Sequence, residues 1–74
     1  MEYNGHPSWN AWNVALWIGN DEPLYRLAME CIKDAKSIHR AANLFAERSG
    51  LIRTPDGAKY SHNSVELALA GLKE

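Results

Sequence analysis

The first helix-forming stretch of this 74-residue chain reads WNAWNVALWIGN and holds three tryptophans and no charged residue. At about 100° per residue, Trp9, Trp12 and Leu16 share one face of the helix. Most of the remaining positions are small or apolar. A helix that is apolar almost all round must be covered almost all round, and so short a chain offers few elements to cover it. This helix therefore constrains the whole fold.

Two interpretations of the tryptophan helix follow. In the first, which we favour, it is the central helix, and the other helices pack around it with a hydrogen-bond partner for each indole N–H. In the second, one side stays open and anchors a partner, because tryptophan is enriched at binding hot spots. The two combine if Trp12 and Leu16 face inward and Trp17 faces outward. We expect Trp17 to be the uncovered tryptophan and Asn10 and Asn13 to be the only polar window.

Helix-start and helix-stop signals predict an all-α fold, a compact bundle of about four short helices in a single domain over residues 1–74. A serine, asparagine or aspartate precedes each apolar run, where its side chain can cap the first turn. The predicted elements are Trp9–Ile18 with Ser8 as cap and Gly19 as C′ residue, a second helix from Asn20 or Asp21 to about Asp34, a third from near Ser37 to before Gly50, and a last one capped by Ser64.

Apolar residues at helical spacing mark the expected core faces. They are Leu24, Leu27, Ala28 and Cys31 in the second helix, Ile38, Ala41, Ala42 and Phe45 in the third, and Val65, Ala68, Leu69 and Leu72 in the last. Between the third and last helices, RTPDG at 53–57 predicts a type I turn, with Pro55 at its second position and Gly57 at its fourth. Its short flanks leave room for a small hairpin.

Charge and cysteine content exclude several classes of protein. The net charge of −1 argues against a strong non-specific nucleic-acid binder, which would carry a large basic excess. Cys31 is the single cysteine, so no disulfide forms within the chain, and a reducing cytoplasm is the expected location. The longest apolar run is about ten residues, too short for a bilayer that needs roughly 20. We expect no membrane association and no secretory signal.

We find no constellation typical of an enzyme. His6, His39 and His62 match no recognised metal-ligand spacing, and a lone cysteine provides no C-x₂-C pair. Cys31 falls on the apolar stripe of the second helix, where a buried thiol is the ordinary explanation. The glycines are scattered and form no phosphate-binding loop. We therefore expect no catalysis, no metal and no cofactor.

The middle of the chain supports an alternative function, DNA binding by a helix-turn-helix. LAMECIKDAKSIHRAANLF predicts two helices joined near Asp34–Ser37, a spacing that suits a recognition helix in the major groove. The turn lacks the usual glycine, and the same cations can simply form a solvated helix face. The residues that would contact phosphates or bases are Lys33, Lys36, Ser37, His39, Arg40 and Asn43.

Both ends of the chain resemble a family of small uncharacterised phage and plasmid proteins. The resemblance rests on YNG at 3–5, WNAWNVALWIGNDEPLY at 9–25, and TPDG at 54–57 followed by Tyr60, Ser61 and His62. Asn10 and Ala11 replace the usual Glu-Thr of the family signature, and Pro23 stands where glycine is common. The resemblance implies a mobile-element product in a bacterial cytoplasm. Such proteins often bind and disable a host protein, including restriction and CRISPR defences.

Our leading hypothesis is accordingly a small interaction protein that binds a host protein, itself as a homodimer, or both. A structural or assembly role is a further alternative, for which the sequence shows no specific feature. The expected contact residues are Tyr3, Trp9, Trp17 and Tyr25, with Lys36 and Arg40 as a secondary basic patch.

Overall fold

The computed structural model describes residues 8–73, and over that range the chain forms four α-helices. They are α1 (Trp9–Asn20), α2 (Glu22–Asp34), α3 (Ile38–Ser49) and α4 (His62–Lys73). Between α3 and α4, a single antiparallel bridge joins Arg53 to Lys59. None of the helices described is both long enough and apolar enough to cross a membrane. The all-α prediction is confirmed, and the hairpin is reduced to one bridge.

Side-chain caps begin the first three helices as the sequence predicted. Each cap accepts a hydrogen bond from the backbone N–H three residues on, which satisfies a group that has no partner inside the helix. The pairs are Ser8 with Ala11, Asp21 with Leu24, and Ser37 with Arg40. At the end of α3, Gly50 adopts φ 65° and its N–H bonds to the carbonyl of Ala46.

Two predicted caps are wrong. Gly19 does not end α1, because the helix continues to Asn20 and the N–H of Asp21 closes it on the carbonyl of Trp17. Asp21 therefore ends one helix and caps the next. Ser64 does not cap α4, since the helix begins two residues earlier and the hydroxyl of Ser61 accepts the N–H of Ser64.

The four helices surround one core, to which each contributes an apolar face. α1 and α3 each pack on both α2 and α4, and α2 also contacts α4. Phe45, Ile18 and Leu69 are the largest fully buried apolar side chains. Alanines and Cys31 lie where neighbouring helices come closest together. Most of the core faces predicted from helical spacing are buried in the structure. The buried cluster comprises Val14, Ile18, Ala28, Cys31, Ala41, Ala42, Phe45, Ala58, Val65, Ala68 and Leu69.

The tryptophan helix is not central, contrary to the interpretation we favoured from the sequence. Among the described residues, α1 packs on α2 and α4 but not on α3. Its core face consists of Ala11, Val14 and Ile18, all essentially inaccessible to solvent. The bulkier indoles lie outside that sector.

Candidate functional site

The segment between α3 and α4 is attached to α1 by two asparagines. Asn10 makes two hydrogen bonds to the backbone of Lys59. Its Oδ1 accepts the Lys59 N–H at 2.7 Å, and its Nδ2 donates to the Lys59 carbonyl at 2.8 Å. The same Nδ2 lies 2.9 Å from the hydroxyl of Ser64 on α4. Asn10 therefore ties α1 to the loop and to α4 together.

Asn13 performs the same task at the turn itself. Its Oδ1 accepts the Thr54 hydroxyl at 2.6 Å, and its Nδ2 donates to the Asp56 carboxylate at 2.9 Å. The turn is closed by the N–H of Gly57 on the carbonyl of Thr54, as the TPDG pattern predicted. Asn13 is only 2% exposed and Thr54 4%. The polar window on α1 is thus the covered side of the helix.

Trp17 takes part in this attachment as well. Its indole N–H donates to the Asp56 carboxylate at 2.9 Å, and its side chain is half-buried. The hydrogen bonds from Asn13 and, secondarily, from Trp17 lower the pKa of Asp56, because they stabilise the ionised carboxylate. The expectation that Trp17 is the uncovered tryptophan is wrong.

The outward side of α1 is instead apolar. The loop covers the sector of Asn10, Asn13 and Trp17, and the core covers the neighbouring sector of Ala11, Val14 and Ile18. The remaining sector of α1 faces solvent. It carries Trp9 and Leu16, each 38% exposed, and Trp12, which is half-buried. We call these three residues the outer face of α1. The expectation that Trp12 and Leu16 point inward is therefore wrong for Leu16 and only partly right for Trp12.

A shallow apolar hollow lies at the C-terminal end of this outer face, lined by Leu16, Trp17, Asn20 and Asp21. On α2, Tyr25 and Met29 are also exposed, at 41% and 38%. They are four residues apart and so lie on one side of α2. Of the four aromatic residues predicted to bind a partner, the structure places Trp9 and Tyr25 at the surface. Tyr3 lies outside the described residues.

The basic residues predicted for partner or DNA binding are exposed, but only some of them lie together in one place. Lys36, Arg40 and Asn43 line one open depression at the α2–α3 junction, where the carboxylate-bearing Asp34 also lies. Ser37 uses its hydroxyl as the α3 cap. Lys33 is exposed on α2.

His39, the remaining member of the predicted DNA-binding set, meets α4. Its Nδ1 lies 3.1 Å from His62 Nε2 and 3.4 Å from Glu66 Oε2, and His62 Nε2 lies 4.0 Å from the same carboxylate oxygen. The two imidazole rings pack edge to face with centroids 4.5 Å apart. We call these three residues the histidine cluster. Sequence reasoning expected no metal site and missed the cluster, because 23 residues separate the two histidines and only the α3–α4 packing joins them.

Cys31 is enclosed by the core and shows no feature of a nucleophile. Burial raises the pKa of its thiol, although the nearby Arg48 guanidinium opposes that effect. Arg48 itself forms ion pairs with Asp34 at 3.1 Å and Glu30 at 3.4 Å, which link the end of α3 to α2. A thiol held neutral and inaccessible is unreactive.

Comparison with known proteins places the chain in one family. The model of a family of unknown function, DUF7249, matches residues 1–74, and the chain belongs to that family. No curated protein and no solved structure matches it significantly. The resemblance to an uncharacterised family is thereby confirmed at that level.

Proposed function

We propose that this protein is a small accessory protein of phage or plasmid origin that acts by binding a host protein in the bacterial cytoplasm. The outer face of α1 is the contact surface. The observation that carries the proposal is the orientation of α1, which turns its asparagines inward and Trp9 and Leu16 outward. The asparagine bonds to the loop account for the orientation of α1, but they do not require large apolar side chains at the solvent-facing positions of Trp9 and Leu16.

The composition of the surface supports a protein partner. The centre of a protein interface is depleted in charge and enriched in tryptophan, tyrosine and methionine. α1 has no charged residue along its 12 residues, and α2 adds Tyr25 and Met29. The hollow beside Leu16 accepts an apolar side chain of the partner, with Trp17 as one wall. A bacterial defence protein is the class of partner that the resemblance favours.

The test compares capture by two matched variants. The wild-type chain, immobilised, is exposed to lysate of a bacterial host, and captured proteins are compared with those held by Trp9→Ser/Leu16→Ser. Ile52→Ser is the control, because Ile52, at 73%, is the most exposed large apolar side chain among the described residues but belongs to the loop and not to the outer face of α1. We expect the double variant to lose a captured protein that the control retains, with the far-UV spectrum unchanged.

Two outcomes would contradict the proposal. The first is equal capture by both variants. The second is a concentration-dependent dimer in sedimentation that disappears only in the double variant while nothing from the lysate binds, since the outer face would then be a homodimer interface.

DNA binding is a second candidate, supported by the depression that brings Lys36, Arg40 and Asn43 together. A helix-turn-helix would bind a duplex with an affinity that falls steeply as salt is raised. The electrophoretic test compares Arg40→Ala with Arg26→Ala, an exposed arginine that pairs with Glu22 within α2. A salt-dependent shift lost only in Arg40→Ala would favour this candidate over the first.

A further inference from the structure

We propose that the histidine cluster, His39, His62 and Glu66, binds a divalent transition-metal ion of the zinc type at the junction of α3 and α4. Each residue offers one donor atom, and the three donors lie within 4.8 Å of one another. This inference is independent of the proposed partner-binding function, since the cluster is built from α3 and α4 and the outer face from α1.

Two of the three donor–donor separations agree with those of a zinc coordination sphere, and the third is longer. Ligand atoms at about 2.0–2.1 Å from a tetrahedral zinc ion lie roughly 3.3 Å from one another. The observed separations are 3.1, 3.4 and 4.0 Å. An ion can therefore enter after small rotations of side chains, without movement of the helices.

The donor set selects the class of metal. Two imidazole nitrogens and one carboxylate oxygen suit zinc and neighbouring transition metals, whereas magnesium and calcium prefer oxygen ligands throughout. The two nitrogens are 3.1 Å apart, which is hydrogen-bond distance, and the tautomers decide which ring donates the shared hydrogen. On metal binding both nitrogens present lone pairs, and the shared hydrogen moves to the other nitrogen of its own ring.

The fold holds the donors in place from two sides. His62 and Glu66 are four residues apart in the first turns of α4, so they project from one face of that helix. His39 lies in the first turn of α3, which packs on α4. Three protein ligands leave a fourth position for water or for a group from another molecule. Their side chains are 67%, 37% and 35% exposed, so the ion can enter directly from solvent.

The test uses Zn²⁺ and the full chain. Nitrogen-15 spectra of the histidine rings should show the His39 and His62 signals shifting together at one equivalent of Zn²⁺ and remaining unmoved by Mg²⁺. The midpoint of thermal unfolding should rise with Zn²⁺ concentration, because an ion that binds the folded state stabilises it. Because loss of even an outer-shell partner typically weakens metal affinity by about 10–100-fold, His39→Ala, His62→Ala and Glu66→Gln should each weaken it at least about tenfold.

Matched controls separate the cluster from other donors in the chain. His6→Ala removes the third histidine of the sequence, and Glu47→Gln removes an exposed carboxylate on α3. Both should bind Zn²⁺ as the wild type does. The proposal is overturned if the ring nitrogens of His39 and His62 do not respond to Zn²⁺, or if binding follows His6 instead. Far-UV circular dichroism of each variant checks that weaker Zn²⁺ binding does not result from loss of folding.

Discussion

Asn13 connects a helix to a loop more than 40 residues away, and both ends of its amide are used. Its oxygen receives the Thr54 hydroxyl and its nitrogen reaches the Asp56 carboxylate. Thr54 in turn accepts the N–H of Ala58 through the same hydroxyl oxygen. The sequence showed that α1 has a polar window at Asn10 and Asn13, but not its purpose, since the atoms that fill it belong to a distant turn.

Replacement of Asn13 by alanine should therefore be costly. The change leaves the buried Thr54 hydroxyl without its acceptor, and an unsatisfied buried polar group costs about 1–3 kcal/mol. Asn20→Ala is the control, because Asn20 is exposed and, among the residues that the structure describes, its side chain bonds within α1, to the carbonyl of Leu16. The effect of this change should stay within about 0.5 kcal/mol. Urea unfolding of both variants measures the difference. Equal losses would show that the Asn13 bonds do not stabilise the loop.

Asp56 makes the attachment sensitive to acid. Its pKa in the folded state lies below the ordinary value because Asn13 and Trp17 donate to the carboxylate. A lowered folded-state pKa gives stability that is fully present above the unfolded-state value and is lost as the pH falls through the folded-state value. Asp56→Asn should therefore lower the unfolding midpoint at neutral pH, and its deficit relative to the wild type should shrink in acid.

Trp17 offers a direct reading of the same group. Its indole N–H proton should shift in nuclear magnetic resonance spectra as Asp56 is protonated, at a pH below the ordinary carboxylate range. Glu47→Gln, which removes an exposed carboxylate elsewhere, should leave that titration unchanged. An indole signal that stays constant through acid would contradict the role of Asp56.

At the level of elements, sequence signals succeed where the cause is local. Ser8, Asp21, Ser37 and Gly50 act within four residues of themselves, and all four end or begin helices as expected. The prediction that Gly19 ends α1 was wrong, because a glycine after an apolar run resembles a C′ residue. Asp21 lies two positions later, and its side chain caps α2, so the boundary between α1 and α2 falls at Asp21.

The glycines should respond to alanine in opposite directions. Gly50 has φ 65°, a left-handed conformation that costs a residue with a Cβ about 1–2 kcal/mol, so Gly50→Ala should destabilise the chain. Gly71 lies in α4 with open space where a Cβ would point, so Gly71→Ala should stabilise it by about 0.5 kcal/mol. Thermal unfolding of the two variants measures whether each change lowers or raises the stability. A loss of stability in Gly71→Ala would mean that the last turn of α4 depends on glycine.

At the scale of the whole molecule, helical periodicity predicted the fold class and most of the core. It could not predict the orientation of α1, because a helix that is apolar almost all round fits several orientations equally well. The choice is made by the asparagine bonds to the loop, which direct Trp9 and Leu16 outward. The histidine cluster could not be predicted from the sequence either, because its members meet through the packing of α3 on α4. Contacts over long sequence distances thus decide both candidate sites.

Cys31 provides a test of how cooperatively the molecule unfolds. Its side chain is fully buried in a cluster to which all four helices contribute, so a thiol reagent should reach it only when the whole domain opens. A domain of this size has a stability of roughly 3–5 kcal/mol, which corresponds to labelling slowed by about two to four orders of magnitude relative to the unfolded chain. Ala46→Cys, in a Cys31→Ala background, places a thiol at an exposed position of α3 and should label without protection. The free energy from Cys31 labelling in low urea should equal that from tryptophan fluorescence; a smaller value would show that α2 opens while the rest of the bundle remains folded.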